Sequence, residues 1–151
     1  MNLSSRMTET PGALSLSGVR AVLELRGLQV LARLPADAIV PLACHVTDDR
    51  FDAGAMVYRQ GQTADRIGFL VSGGVEILRS GRAVVELDPG DILGEAGLLD
   101  VPVHLGDAVA VSDCRVLWID REAFHEMLDL HPGFQRAILD ALCARLRRPN
   151  S

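Results

Sequence analysis

The stretch Leu87-Asp88-Pro89-Gly90-Asp91-Ile92-Leu93-Gly94-Glu95-Ala96-Gly97-Leu98-Leu99 decides how this chain is read. It sits in a region, 46–120, where apolar runs are short and separated by turn residues. Asp88-Pro89-Gly90 is one such turn. The others are Asp52-Ala53-Gly54, Gln60-Gly61-Gln62, Ser72-Gly73-Gly74, Ser80-Gly81 and Ser112-Asp113. These residue types accept left-handed backbone or bond their own main chain. The apolar runs between them occupy 56–58, 67–71, 75–78, 83–87, 108–111 and 116–119. Short runs at such spacing, with no helical stretch between them, predict a β-sandwich or barrel rather than a parallel α/β sheet.

On either side the apolar period lengthens to that of a helix. Val22, Leu25, Leu28, Leu31 and Ala32 form one stripe, predicting a helix over 19–34 that Leu34-Pro35 ends. Residues 36–45 predict a second, short helix, with a break or restart at Pro41. After the strand region, Asp120 is a suitable N-cap for a helix to about Leu130. His131-Pro132-Gly133 breaks it, and Pro132 suits the first turn of the next. There Phe134, Ala137, Ile138, Ala141, Leu142 and Leu146 make an apolar stripe, and Arg145, Arg147 and Arg148 fall in the last turn, where cations favour the helix dipole. Residues 1–17, rich in Ser, Thr and Gly, are expected to be a disordered leader. The remainder, 18–151, is expected to be one domain: N-terminal helices to 45, strands over 46–120, C-terminal helices over 121–148.

The chain has 151 residues, 48% of them apolar and 23% charged, which is the composition of a globular domain. No apolar run approaches the ~20 residues of a membrane-spanning helix, and the N-terminus lacks the apolar core of a secretory signal, so a cytoplasmic location is expected. The formal net charge is −5, unevenly laid out. All fifteen basic residues are arginine. Between Arg82 and Arg115 stand seven carboxylates (Glu86, Asp88, Asp91, Glu95, Asp100, Asp107, Asp113) and no arginine; the rest of the chain is +2. The absence of lysine removes Schiff-base chemistry and the phosphate-loop lysine. The acidic balance and six aromatic residues argue against a nucleic-acid surface. Cys44, Cys114 and Cys143 are scattered, with no CxxC pair, and read as buried reduced thiols.

Three stretches carry a resemblance. The first runs from Phe51-Asp52-Ala53-Gly54 to Gln60-Gly61-Gln62-Thr63-Ala64-Asp65. The second is Phe69-Leu70-Val71-Ser72-Gly73-Gly74-Val75. The third is the opening stretch, with Gly90 and Gly94-Glu95-Ala96-Gly97-Leu98. Together with 116–124 they make the chain resemble the cyclic-nucleotide-binding domain family from about Leu28 to Arg148. That resemblance implies a mostly β fold, a jelly-roll or β-roll of about eight antiparallel strands with N-terminal and C-terminal helices. It also implies a phosphate-binding cassette beginning at the Gly-Glu dipeptide. There backbone N–H groups face the phosphate, a glutamate holds the ribose hydroxyl, and an arginine pairs with the phosphate. The last helix closes over the base.

Carried over, the resemblance marks Gly94, Glu95, Ala96, Gly97, Leu98, His104, Leu105 and Asp107 as the ligand-binding set. The arginine position falls on His104, or next door on Leu105. The small hydroxyl residue that follows it in relatives falls on Asp107. The chain thus lacks the phosphate anchor and gains a carboxylate. Two like charges 4 Å apart repel by about 4 kcal/mol at an effective dielectric of 20, so weak or absent affinity for cAMP and cGMP is expected if Asp107 faces the pocket.

Each marked residue has a plainer reading. Glu95 could cap the cassette, His104 could be a solvated loop histidine or a low-pH stand-in for arginine, and Asp107 could be a turn residue. Glu95, His104 and Asp107 would also suit a divalent cation, but the HxH pair of metal cupins is missing, and no metal site is expected. No GxSxG or HExxH motif occurs, so no enzyme is expected. Trp118 and Phe124 read as core. The expected role is a regulatory module whose only cofactor-like ligand would be a cyclic nucleotide, cAMP or cGMP. Catabolite-activator relatives would continue beyond Ser151 into a helix-turn-helix, so the expected output is to a protein effector or a larger host. The alternative is an interaction module, with a homodimer through the C-terminal helix and no small-molecule ligand.

Overall fold

A computed structural model describes residues 16–147. In chain order these form α1 (Leu16–Arg26), a 3-10 turn (Gln29–Leu31), α2 (Ala36–His45), β1 (Thr47–Phe51), β2 (Met56–Tyr58), β3 (Arg66–Ser72), β4 (Val75–Arg79), β5 (Arg82–Leu87), β6 (Ile92–Leu93), a second 3-10 turn (Glu95–Leu98), β7 (Asp107–Ala110), β8 (Cys114–Asp120), α3 (Arg121–Leu130) and α4 (Pro132–Leu146). The strands make two four-stranded antiparallel sheets, in the orders β1-β8-β3-β6 and β2-β7-β4-β5. The expected roll of about eight strands between helices is therefore present.

The pattern of apolar residues follows from two cores. One fills the space between the sheets, with Leu70, Leu93, Val116 and Trp118 from the first and Val75, Leu87, Ala108 and Ala110 from the second. The other lies on the far face of the first sheet, where Ile67, Phe69, Ile92, Leu117 and Ile119 meet the helices. The first sheet is thus covered on both faces, so β3 and β8 read as continuous apolar runs. Sheets with one wet face alternate instead. Gly68 of β3 lies against β8. A Cβ there would come within 2.6 Å of Val116 Cγ1 and 2.8 Å of Trp118 Cε3. Arg66 lies over the Trp118 ring, 4.1 Å from its centroid.

The helices depart from expectation in places. The single helix over 19–34 is instead α1, ending at Arg26, followed by the 3-10 turn. Leu25, Leu28, Leu31 and Leu34 are all buried and are joined by successive i to i+3 backbone bonds. A repeat of three is the period of a 3-10 helix, and Arg26 Nη1 donates to the carbonyls of Ala32 and Leu34 at its end. Pro41 causes no break: α2 runs through it, held by buried Ala38, Ile39, Leu42 and Ala43. Asp120 occupies the N-cap of α3 without a side-chain capping bond. Pro132 opens α4 as expected, but Leu146, the last residue of its expected apolar stripe, is 85% exposed. The expected leader lies outside the described residues, except that Leu16 and Ser17 open α1. Arg148 also lies outside them. Among the described residues, no helix is long and apolar enough to cross a membrane.

Candidate functional site

The site forms where β6 runs off the first sheet. Ile92 and Leu93 pair with Phe69 and Gly68 of β3, and Gly94 then turns the chain with φ +74. That left-handed conformation favours glycine, and here it is also enforced by space: a Cβ on Gly94 would lie 2.8 Å from the Arg66 carbonyl oxygen. The 3-10 turn Glu95–Leu98 follows, with Gly97 N–H donating to the Gly94 carbonyl. Ala96 and Gly97 are buried, and Leu98 packs on the helical core. The turn's carbonyls are held from outside by α3. Arg121 Nε donates to Gly97 O at 2.8 Å and its Nη2 to Leu99 O at 2.9 Å, while His125 Nε2 donates to Gly97 O at 2.9 Å.

The loop after the turn runs back along residues 61–64. Ala64 N–H donates to Pro102 O, His104 N–H to Gln62 O, and Gly61 N–H to His104 O. This places His104 inside the protein, 7% exposed, with its ring stacked on Tyr58 at a centroid distance of 3.7 Å and an interplanar angle of 9°. Its Cε1 would lie 3.6 Å from a Cβ on Gly94. Burial pushes the His104 imidazole below its ordinary pKa, and only partly do Glu95 and Asp65 pull it back up. Burial likewise pushes the Tyr58 phenol above its ordinary range, with Glu95 adding to the rise while a backbone hydrogen bond with Gly94 and the charge of Arg145 oppose it. At neutral pH both rings are therefore uncharged.

The cation that pairs with Glu95 comes from α4. Arg145 Nη1 donates to Glu95 Oε2 at 3.1 Å, and Nη2 donates to the Ile92 carbonyl. The Arg145 side chain is 13% exposed and that of Glu95 45%. Sequence reasoning had given Arg145 only a helix-terminus role. No local pattern links it to Glu95, fifty residues away.

Of the eight residues expected to bind a ligand, Gly94, Glu95, Ala96, Gly97 and His104 are brought together, with Leu98 behind them. Leu105 is 56% exposed. Asp107 Oδ1 accepts from the Gln60 N–H at 2.7 Å, a turn contact. Alongside, Thr63, Asp65, Pro102, Asp120, Arg121 and Glu126 line a cleft of about 710 Å³. Among the described residues, no group of three or more His, Cys, Asp or Glu side chains gathers to hold a metal.

The family model of the cyclic nucleotide-binding domain matches residues 48–131, more than half of the chain and all of this site but Arg145. The chain belongs to the cyclic nucleotide-binding domain family. Among its relatives, this cyclic nucleotide-binding domain is 36% identical over 121 residues to the HTH-type transcriptional regulator Cmr of Mycobacterium tuberculosis, covering 76% of this chain and 49% of the regulator. The chain spans about half the length of the curated relatives it matches first. Its fold is that of a cyclic nucleotide-binding protein from Geobacter metallireducens, with a TM-score of 0.73 and 24% identity, over 88% of this chain and all of that one. It is also that of the regulatory subunit of a cAMP-independent protein kinase A from Trypanosoma brucei, solved as a triple-substitution variant bound to cAMP. There the TM-score is 0.71 and the identity 22%, over 89% of this chain and 50% of that one.

Proposed function

We propose that this cyclic nucleotide-binding domain is a regulatory module whose cassette binds cAMP and cGMP weakly or not at all, and that its output passes to a host or partner protein rather than to chemistry of its own. The observation that carries this reading is His104. At the position where the resemblance calls for arginine there is an imidazole, buried, stacked on Tyr58 and held neutral by burial. A cyclic phosphate here would lack a charge-assisted bond, which is worth about 1.5–3 kcal/mol. Glu95, the residue expected to take a ribose hydroxyl, already accepts from Arg145.

Calorimetry with cAMP and cGMP on the native chain and on His104→Arg tests the proposal. The native chain is expected to bind neither nucleotide tightly. The variant is expected to gain roughly tenfold or more, because a planar guanidinium can stack on Tyr58 as the imidazole does and adds the missing charge. Micromolar binding by the native chain would overturn the reading.

A second reading is favoured by one observation. On α4, Leu139, Cys143 and Leu146 are exposed and spaced three and four residues apart, so they form one apolar face. On this reading the domain docks through α4 onto a second copy.

A further inference from the structure

We infer that the tip of the β4–β5 hairpin is a docking surface for an acidic segment of a partner protein, recognised by Arg59, Arg79 and Arg82 with Leu105 beside them. This rests on the reading above, that the output passes to a protein, and gives that protein a place to bind. The hairpin turns on Ser80 and Gly81, with φ +54 and +80, the left-handed backbone of a tight two-residue turn that follows the twist of the strands. Its register sets Arg79 directly opposite Arg82. Ser80 N–H donates to Gln60 Oε1 at 3.2 Å, and Gln60 N–H donates to Asp107 Oδ1 at 2.7 Å, so the loop that carries Arg59 lies against the same turn. Asp107 pairs with Leu78, and Gly106 backs onto Leu78 so closely that a Cβ would lie 2.6 Å from its carbonyl oxygen. Leu105, 56% exposed, therefore stands at this end of the second sheet too.

Like charges directly opposite one another are unfavourable in a sheet. Among the described residues, none of these three exposed guanidinium groups makes an ion pair or a hydrogen bond. Elsewhere in the fold Arg66, Arg115, Arg121 and Arg145 are engaged with carboxylates or carbonyls. In a chain of net charge −5 the tip is thus a local excess of positive charge. Charge complementarity then selects an acidic occupant, and the next row of the hairpin limits its length. There Glu76 stands opposite Glu86, three residues or roughly 10 Å from Arg79, which is about the screening length at 0.1 M salt. An extended polyanion, such as a lipid surface, would carry its charge over these carboxylates as well. A few Asp or Glu side chains of a short segment would not. Leu105 offers an apolar contact at the rim, so the segment carries a large apolar side chain beside its acids.

Fluorescence anisotropy of a short labelled peptide of alternating glutamate and leucine, titrated with the full chain, tests the surface. The native chain is expected to bind it, with affinity falling severalfold between about 50 and 200 mM salt. Arg59→Gln, Arg79→Gln and Arg82→Gln together should weaken binding roughly tenfold, and Leu105→Ser should weaken it as well. Arg20→Gln, Arg33→Gln and Arg50→Gln together change the net charge equally at exposed arginines elsewhere, and should leave binding intact. Arg82→Glu sets opposite charges across the hairpin. It should abolish binding and yet raise the melting temperature by about 1–4 °C. An unbound peptide, equal loss in the charge-matched control, a lowered melting temperature in Arg82→Glu, or tighter binding to vesicles of anionic lipid than to the peptide would overturn the inference. No nucleotide is used, so the result is independent of the calorimetry: tight native binding of cAMP would refute weak affinity and leave this surface standing.

Discussion

His104 shows how one side chain converts a general fold into a particular site. Its ring is buried against Tyr58, with Glu95 and Asp65 near enough to favour its charged form and burial strong enough to win. The folded state therefore releases the proton more readily than the unfolded chain, whose histidine titrates near the ordinary 6.5. In that window the unfolded chain binds more protons, so stability is full above about pH 6.5 and falls as the pH drops through the folded value. Urea unfolding between about pH 7.5 and 5 should show the native chain losing stability more steeply than His104→Phe, which keeps an aromatic ring on Tyr58 without the titration. Equal slopes would mean that His104 protonates as freely folded as unfolded. The sequence marked this residue because an arginine is absent there. It could not show the burial, which comes from the pairing of the 102–104 backbone with Gln62 and Ala64. Arg145 was less legible still, since its partners Glu95 and Ile92 are joined to it only by the packing of α4 on the roll.

The elements divide by whether local pattern or remote contact creates them. The strands β3 and β8 were plain in the sequence because both of their faces are apolar and buried. The strand β1 was not, because Thr47-Asp48-Asp49-Arg50-Phe51 has no apolar run at all. It exists by pairing along β8 and by its charges, Asp49 to Arg66 and Asp48 to Arg115. The strand β6 is only two residues long, too short to carry a period. Arg115 does more than steady β1. It also forks onto both oxygens of Glu24 on α1, at 2.5 and 3.1 Å, and these bonds together with Asp48 raise its pKa further above the ordinary arginine value. One guanidinium thus ties the N-terminal helix to the sheet. Arg115→Gln should cost about 1.5–3 kcal/mol in urea unfolding, the range for hydrogen bonds to charged groups, and should speed proteolysis within 16–26. The exposed i, i+4 pair Arg136–Asp140 is the control, because at 78% and 66% exposure it is largely screened. Arg136→Gln should change stability by less than about 0.5 kcal/mol. If the two substitutions cost the same, the docking of α1 does not depend on Arg115.

At the scale of the molecule, the charge layout and the helix α4 bear on the same question. The segment without arginine, 83–114, contains the cassette, and the fold returns arginines to it from both following helices, Arg121 of α3 to the carbonyls of Gly97 and Leu99 and Arg145 of α4 to Glu95. The side of α4 that faces the roll is thereby committed: Phe134 and Ile138 to the core, Arg145 to Glu95. The apolar residues that remain, Leu139, Cys143 and Leu146, point elsewhere, and they lie within two turns flanked by Arg136 and Asp140. A second copy laid along this face would bury its leucines against their equivalents and set charges of both signs at the edge, the arrangement of a two-fold contact, in which one patch meets itself. The patch is short, so the dimer it makes should be weak and concentration-dependent. Sedimentation velocity should show the weight-average mass rising between about 1 and 100 µM, a range set by the affinity of small transient contacts. The double substitution Leu139→Glu and Leu146→Glu should hold the chain monomeric across that range. It touches neither Phe134, Ile138 nor Arg145, so unfolding should be little changed, because exposed positions away from packed features seldom matter to stability. A native chain that stays monomeric at the highest concentration removes the docking of α4 on a second copy.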